Sequence, residues 1–426
     1  MKRLALMVVV AVAVAGVASS AAVALPGVPG PTRPDRGQKP VSSGWKLESS
    51  PAPAGVESPT LGAISCVSTS FCAATGNSGS GEPPQNANAF TQTSTGANWA
   101  AATPPQAAGL SLSGVSCVDP SFCVAVGARA SAGAPASSLP EHAAVLGWNG
   151  TTWAAQQVPL PAGDSDLRGV SCASATFCVA VGNHGKSPWT QPLTEVWNGG
   201  GWRIVKTPAV GGRGGSLQTV TCLSSSWCMV LGEYFKGHLG PYRDIPRTQW
   251  VAQRFNGHRW TVQHPAAIND RPGLGPDPWN FVTAVACTSR RTCLGVGYIP
   301  LTQGDESPTP FAVRWNGRAW SAALKGLPRF AQPSGVACNG AGSGRCFAVG
   351  QVFGSAELSE TSQAPLVLRW KTNRWATMST PRIPAQGGQR QHGGLAGISC
   401  VHGGGCRAVG YRPRGTGTTT LVESGP

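Results

Sequence analysis

Seven times the chain repeats one phrase: a short apolar segment ending in Cys, a tight turn, and a second Cys followed by small apolar residues and a Gly. The pairs are Cys66/Cys72, Cys117/Cys123, Cys172/Cys178, Cys222/Cys228, Cys287/Cys293, Cys338/Cys346 and Cys400/Cys406, and they use all fourteen cysteines. A fixed period of this kind constrains a fold more than composition can, because it specifies one supersecondary unit copied along or around an array. We number the repeats one to seven by these pairs.

The third repeat serves as the type. Leu167-Arg168-Gly169-Val170-Ser171-Cys172 is followed by Ala173 to Phe177 and then by Cys178-Val179-Ala180-Val181-Gly182. Two short runs of β-branched and small residues, bounded by Gly and polar turn residues, predict a hairpin of strands A and B. Facing residues of antiparallel strands have Cα atoms about 4.5 to 5.5 Å apart, a separation that a disulfide tolerates. Further on, Leu193 to Asn198-Gly199 and Gly200-Gly201-Trp202 to Val205 predict a second hairpin, strands C and D. Its Asn-Gly turn readily takes the positive φ that a tight reversal needs. The phrase returns at Trp148-Asn149-Gly150 with Trp153, Phe255-Asn256-Gly257 with Trp260, Trp315-Asn316-Gly317 with Trp320, and more loosely at Trp370 with Trp375. One unit is therefore expected to be four antiparallel strands.

Successive first cysteines lie 51, 55, 50, 65, 51 and 62 residues apart, near the roughly 40 to 50 residues of a propeller blade with insertions. Strand B is apolar on both faces, as at Cys178, Val179, Ala180 and Val181, which suits a sheet covered on both sides. The ends of the chain are out of phase. Before the first Cys pair stands only a strand D, at Trp45-Lys46-Leu47, and after the last pair only a strand C, at Thr418 to Ser424. The expectation is an all-β fold, a seven-bladed β-propeller of four-stranded antiparallel blades, closed by the N-terminal strand D completing the C-terminal blade. Trp45, Trp99, Trp153, Trp202, Trp260, Trp320 and Trp375 then recur at the start of strand D, where they are expected to pack between blades.

Residues 1–24 carry Lys2 and Arg3, an apolar run from Leu4 to Ala18, and Ala22-Val23-Ala24 before Pro26, the pattern of a secretory signal peptide cleaved after Ala24. Residues 25–44 read as a Pro/Gly-rich linker and 45–426 as the propeller. No second apolar segment is long enough to span a bilayer, so a secreted, extracellular monomer is expected. In an oxidising compartment the Cys pairs read as disulfides that staple the A–B turns. Cys-x5-Cys without accompanying His does not make a zinc site, and no metal or other cofactor is expected. The formal charge is +15, of which Lys2 and Arg3 leave with the leader. Because the basic residues are scattered, nucleic acid is not an expected partner, while a glycan, an anionic envelope polymer or a protein is.

The unit resembles the repeat of Asp-box (bacterial neuraminidase repeat) propellers and of the related photosystem-assembly propellers. The resemblance lies in Phe177 with Ala180-Val181-Gly182, and in Asn198-Gly199 with Trp202, and it extends from Trp45 to the C-terminus. Two features depart from it: Asn149, Asn198, Asn256 or Asn316 stands where the box has Asp, and the Cys pairs are added. The resemblance implies a propeller in a group that holds both glycosidases and non-enzymatic assembly or binding proteins.

In such a fold the short A–B and C–D turns share one face, and the long, variable B–C and D–A connections share the other, where binding usually resides. Candidate ligand-binding residues there are Tyr234, His238, Tyr242, Arg243, Asp244, Asp277 and Trp279, the richest aromatic and polar group in the variable segments. The expected function is binding through that face. A sialidase-like glycoside hydrolase is an alternative, since Glu233, Tyr234, Arg243 and Asp244 supply its residue types from one loop; a purely structural envelope protein is another.

Overall fold

The structure is a computed structural model of the 426-residue chain. It describes residues 44–426 except 55, 79–87, 106, 132–140, 187–188, 209–213, 240–241, 264–279, 301–307, 341–344, 354–362, 382, 384–392 and 415–416. The expected signal peptide and nearly all of the linker lie outside the described residues.

The described residues form strands and turns, with no helix among them. After β1 (Lys46–Glu48), the first repeat supplies β2 (Thr60–Cys66), β3 (Phe71–Ser78), β4 (Asn88–Thr95) and β5 (Asn98–Ala102). The second supplies β6 (Leu110–Asp119), β7 (Phe122–Ala130), β8 (Glu141–Trp148) and β9 (Trp153–Gln156); the third supplies β10 (Ser165–Ser174), β11 (Phe177–His184), β12 (Gln191–Trp197) and β13 (Trp202–Ile204). The fourth supplies β14 (Gly215–Ser224), β15 (Trp227–Leu239), β16 (Tyr242–Phe255) and β17 (Trp260–Gln263). The fifth supplies β18 (Phe281–Ser289), β19 (Thr292–Ile299), β20 (Thr309–Trp315) and β21 (Trp320–Ala322). The sixth supplies β22 (Ala331–Cys338), β23 (Cys346–Phe353), β24 (Gln363–Lys371) and β25 (Arg374–Met378), and the seventh β26 (Gly394–Cys400), β27 (Cys406–Arg414) and β28 (Gly417–Gly425).

The third to sixth repeats each make one four-stranded antiparallel sheet in chain order. The first and second repeats are two such meanders joined into one eight-stranded sheet by a single parallel bridge between Asn88 and Leu110. In the last sheet β1 pairs with β28, Lys46 opposite Ser424 and Glu48 opposite Val422. The N-terminal strand thus completes the C-terminal sheet.

Local chemistry accounts for the repeated unit. Cys172 and Cys178 are register partners across β10 and β11, and all seven Cys pairs are bonded in this way. In the C–D turns, Asn198 Oδ1 accepts from the Gly200 and Gly201 amides at 3.0 Å each, and Asn149, Asn256 and Asn316 do the same in their repeats. Gly182 closes the Ala-Val-Gly phrase for a steric reason. A register shift between Leu167 and Gly169 brings the Asp166 carbonyl to the place where a Cβ at 182 would stand.

The bridges are not the turn staples alone that their spacing suggests. The second cysteine of every pair, Cys72, Cys123, Cys178, Cys228, Cys293, Cys346 and Cys406, is buried at 0 to 1% exposure, while each first cysteine is partly exposed. The reason is that the second cysteine belongs to strand B, which is packed on both faces. Cys72 lies in the core of Leu61 and Trp99, and Cys123 in that of Leu112, Leu146 and Trp153. Cys228 lies with Val179, Val181 and Trp260, and Cys293 with Trp250 and Trp320. These sulfurs are core atoms, closed to any ligand.

The cores lie between repeats. Trp320 of the fifth repeat packs with Met229, Leu231 and Trp250 of the fourth, and Trp202 of the third with Val124 and Val126 of the second. Trp45 lies against Phe347 and Val349 of the sixth. Leu61 and Trp99 of the first repeat share a core with Val409 and Val422 of the seventh. All seven Trp at the start of strand D are buried. Each such side chain removes roughly 150–250 Å² from water, on the order of 4 to 6 kcal/mol at about 25 cal/mol per Å².

Candidate functional site

The segment 233–249, expected as a variable loop, is instead a hairpin extension in which β15 and β16 run to Leu239 and from Tyr242. Unbroken register over Glu233↔Trp250, Tyr234↔Gln249 and Phe235↔Thr248 extends the sheet beyond its core length, with the strand-favouring Tyr234, Phe235, Thr248 and Trp250 among the paired residues. His238 lies on β15, and Tyr242, Arg243 and Asp244 lie on β16. Asp277 and Trp279 lie outside the described residues. Of the expected ligand-binding residues, five therefore share one hairpin.

Tyr234 Oη donates to Gln249 Oε1 at 2.8 Å, and partial burial raises its pKa. The adjacent Glu233 projects to the opposite face of the strand, as consecutive strand residues do. It is buried, 4% exposed. Its Oε1 accepts from the Val282 amide at 3.0 Å and its Oε2 from Gln218 Nε2 at 2.8 Å. Burial raises its pKa to about 7, against the opposing pull of those hydrogen bonds and of Arg168. The Tyr–Glu couple of a sialidase-like site is not formed by these two residues.

Glu233 belongs to a wider set that sequence reasoning missed. It is the residue after the Gly of strand B, and that position holds Asn77, Asn183, Glu233, Tyr298, Gln351 and Tyr411 in six of the repeats. It sits where strand B leads toward the variable B–C connection. Polar residues there, in a strand otherwise packed on both faces, were the available signal. Part of their work is structural: Asn77 accepts from the Leu112 amide at 2.8 Å and donates to the Leu112 carbonyl at 2.9 Å, and Asn183 Nδ2 donates to Ser216 Oγ at 3.3 Å.

From the fifth to the seventh repeat the set forms a connected network. Tyr411 Oη lies 2.9 Å from Gln351 Oε1 and 2.8 Å from Gln363 Oε1, its one proton serving either. Gln351 Nε2 donates to Gln332 Oε1 at 2.9 Å. Burial raises the Tyr298 pKa, the Glu233 charge adds to it, and a hydrogen bond with Gln332 opposes it. Beside Glu233, Arg168 Nε pairs with Asp166 at 2.8 Å. Glu141 is raised by burial and by Asp166 and Asp164, with Arg168 opposing. Amide oxygens, phenol hydroxyls and one ion pair, drawn from strands A, B and C of several repeats, can hold hydroxyl-rich or peptide groups. Among the described residues no three His, Cys, Asp or Glu side chains gather to hold a metal ion.

No protein-family model matches the chain, and no curated protein matches it in sequence. Solved structures do. YCF48 from Cyanidioschyzon merolae is 11% identical, covering 89% of this chain and 98% of its own, with a TM-score of 0.51. A polysaccharide lyase of family PL25, an ulvan lyase, is 9% identical over 85% of this chain and 94% of its own, with a TM-score of 0.53; the same figures hold for its complex with -[GlcA(1-4)Rha3S]-. At such identities the likeness identifies the fold, a β-propeller.

Proposed function

We propose that the chain is a secreted, monomeric, disulfide-stapled propeller of seven blades that binds a glycan, an envelope polymer or a protein through the face carrying its B–C and D–A connections. Counting the eight-stranded sheet as two blades gives seven. Closure is supported by the β1–β28 pairing, by the core shared between the first and seventh repeats, and by the Cys66 amide donating to Ser399 Oγ at 2.9 Å. Asn149, Asn198, Asn256 and Asn316 would then do the turn-capping work of the Asp-box Asp.

The observation that carries the binding reading is the network from Gln332 through Gln351 to Tyr411 and Gln363. It spans two repeats at one end of strand B and uses neutral hydrogen-bonding groups, the kind that fix the orientation of a bound sugar or peptide. The ulvan lyase complex is one instance of this scaffold holding a saccharide. Seven disulfides accord with an oxidising compartment.

A glycan array with the full chain, beside an assay on generic sialosides, tests the reading. We expect binding without turnover, weakened in Tyr411→Phe. Silence on every glycan removes the carbohydrate version in favour of a protein ligand, and turnover of a sialoside overturns the binding reading in favour of hydrolysis.

A further inference from the structure

A second site lies away from the network, beside the short C–D turns where the third and fourth repeats meet. There a groove of about 490 Å³ opens between β13 with its following residues and the C–D turn of the fourth repeat, within the range of roughly 300–1,000 Å³ typical of small-ligand sites. Its floor includes Phe177, Val196, Phe255 and the edge of Trp260. The Phe177 and Phe255 rings run nearly parallel, 16° apart with centroids 6.4 Å apart, and Phe255 in turn meets Trp260 at 5.1 Å.

The rim is cationic. Arg203 and Lys206 stand on one side and Arg259, beside His258, on the other, and all four are exposed. Among the described residues no carboxylate pairs with Arg203, Lys206 or Arg259. The turn bearing His258 and Arg259 is held by Asn256 Oδ1, which accepts both their amides at 3.0 and 2.9 Å, so that side of the rim is preorganised. The repeat supplies an internal control. One residue after the strand-D Trp, where the third repeat has Arg203, five others have Ala100, Ala154, Thr261, Ser321 and Ala376, and only the N-terminal strand also has a cation, Lys46. A cation at these places varies from blade to blade and is not part of what makes one, and the third and fourth repeats bring Arg203 and Arg259 to the same groove.

We infer that this groove binds an acidic saccharide. An inorganic anion would leave the aromatic floor unused, and a neutral apolar ligand would leave the cationic rim unused. A sugar ring bearing a carboxylate or sulfate meets both, its C–H face against Phe177 and Phe255 and its anion in the planar forks of Arg203 and Arg259. The inference stands apart from the proposed function, since the two sites share no residue.

Titration calorimetry of the full chain at low ionic strength, with tetragalacturonic acid as probe, tests it. Maltotetraose and hexaglutamate serve as comparators, and Arg203→Ala/Arg259→Ala as the variant, its exposed positions leaving the melting temperature unchanged. We expect saturable binding of the uronate, no binding of maltotetraose, weaker binding of hexaglutamate, and a loss of at least about tenfold in the double variant. No uronate binding, equal affinity in the variant, or hexaglutamate binding as tightly as the uronate would each overturn the inference.

Discussion

The backbone amide of Cys66, in the first repeat, donates to the Ser399 hydroxyl of the seventh at 2.9 Å. The same bond joins Cys117 to Ser65, Cys172 to Ser116 and Cys222 to Ser171, each at 2.9 Å. The contact between the ends of the chain thus uses the same joint as the contacts between consecutive repeats. Deleting one hydroxyl strands an amide, at about 1 kcal/mol. Ser399→Ala is expected to lower the denaturation midpoint as much as Ser116→Ala, and to speed hydrogen exchange at the Cys66 amide. An effect seen for Ser116→Ala alone would mean that the first and last repeats separate in solution.

Glu195 and Glu423 are fully buried, and neither of their carboxyl oxygens meets a donor. They stand in the register place of Gln92 and Gln253, each opposite the second residue after the strand-D Trp. Those glutamines donate Nε2 to the carbonyls of Pro51 and Pro208 at 2.7 and 3.1 Å. A carboxylate cannot donate, whereas a protonated carboxyl can. Burial raises both acids from an ordinary 4.5 to about 7. The folded state therefore holds protons that the unfolded chain releases between about pH 4.5 and 7, so stability is greatest below that window and falls as pH rises through it. The cost at pH 8 is of order 3 kcal/mol per group. Glu195→Gln and Glu423→Gln are expected to raise the melting temperature at pH 8 and leave it nearly unchanged at pH 4.5; a shift of equal size at both pH values would refute the assignment.

Each disulfide closes a short loop, six residues in sequence for Cys172–Cys178, and the chain-entropy model assigns about 2 kcal/mol to such a closure. Cys172→Ala/Cys178→Ala should cost at least that amount in denaturant titration while leaving the far-ultraviolet spectrum intact. Cys178 is fully buried, so its truncation also leaves a gap in the core. Thiol titration of the native protein should find no free cysteine, and more than a trace would contradict the seven bridges.

Asn198 caps its turn through two amides. Asn198→Ala should cost about 1 kcal/mol in denaturant titration, and Asn198→Asp should retain most of that stability because its carboxylate accepts the same pair. If the Asp variant fell as far as the Ala variant, the turn would not be doing the job of an Asp box.

Gly182 is the clearest backbone constraint. Its missing Cβ makes room for the Asp166 carbonyl at the bulge of β10, so Gly182→Ala forces two paired strands apart. We expect a loss of several kcal/mol, or poor recovery of folded protein, against at most about 1 kcal/mol for Gly201→Ala, where a Cβ meets nothing.

Much of this was legible in the sequence because it is local. A turn of five residues between cysteines, an Asn-Gly pair and a Trp at the start of strand D each specify their geometry within a few residues, and the repeat multiplies the signal, with six such turns, four Asn-Gly pairs in C–D turns and seven Trp. The candidate site was less legible. Tyr234 was recognisable as an aromatic in a variable segment, but the strand pairing of 233–249 depends on β15 and β16 finding each other beyond the core. Gln332, Gln351 and Tyr411 form a network only because separate repeats lie side by side.

What the sequence determined by itself was the unit: four strands, one disulfide, one packed Trp, and the phase in which the units follow each other. What the tertiary structure decided was which residues the units bury or join. Glu195 lies in a strand whose pattern reads like its neighbours, yet it is sealed without a donor, and Arg203 and Arg259 flank one groove although 56 residues separate them in the chain. Burial and proximity arise between sheets, from the packing of one repeat on the next. Local turn and strand chemistry carries no information about that surface until the sheets are stacked.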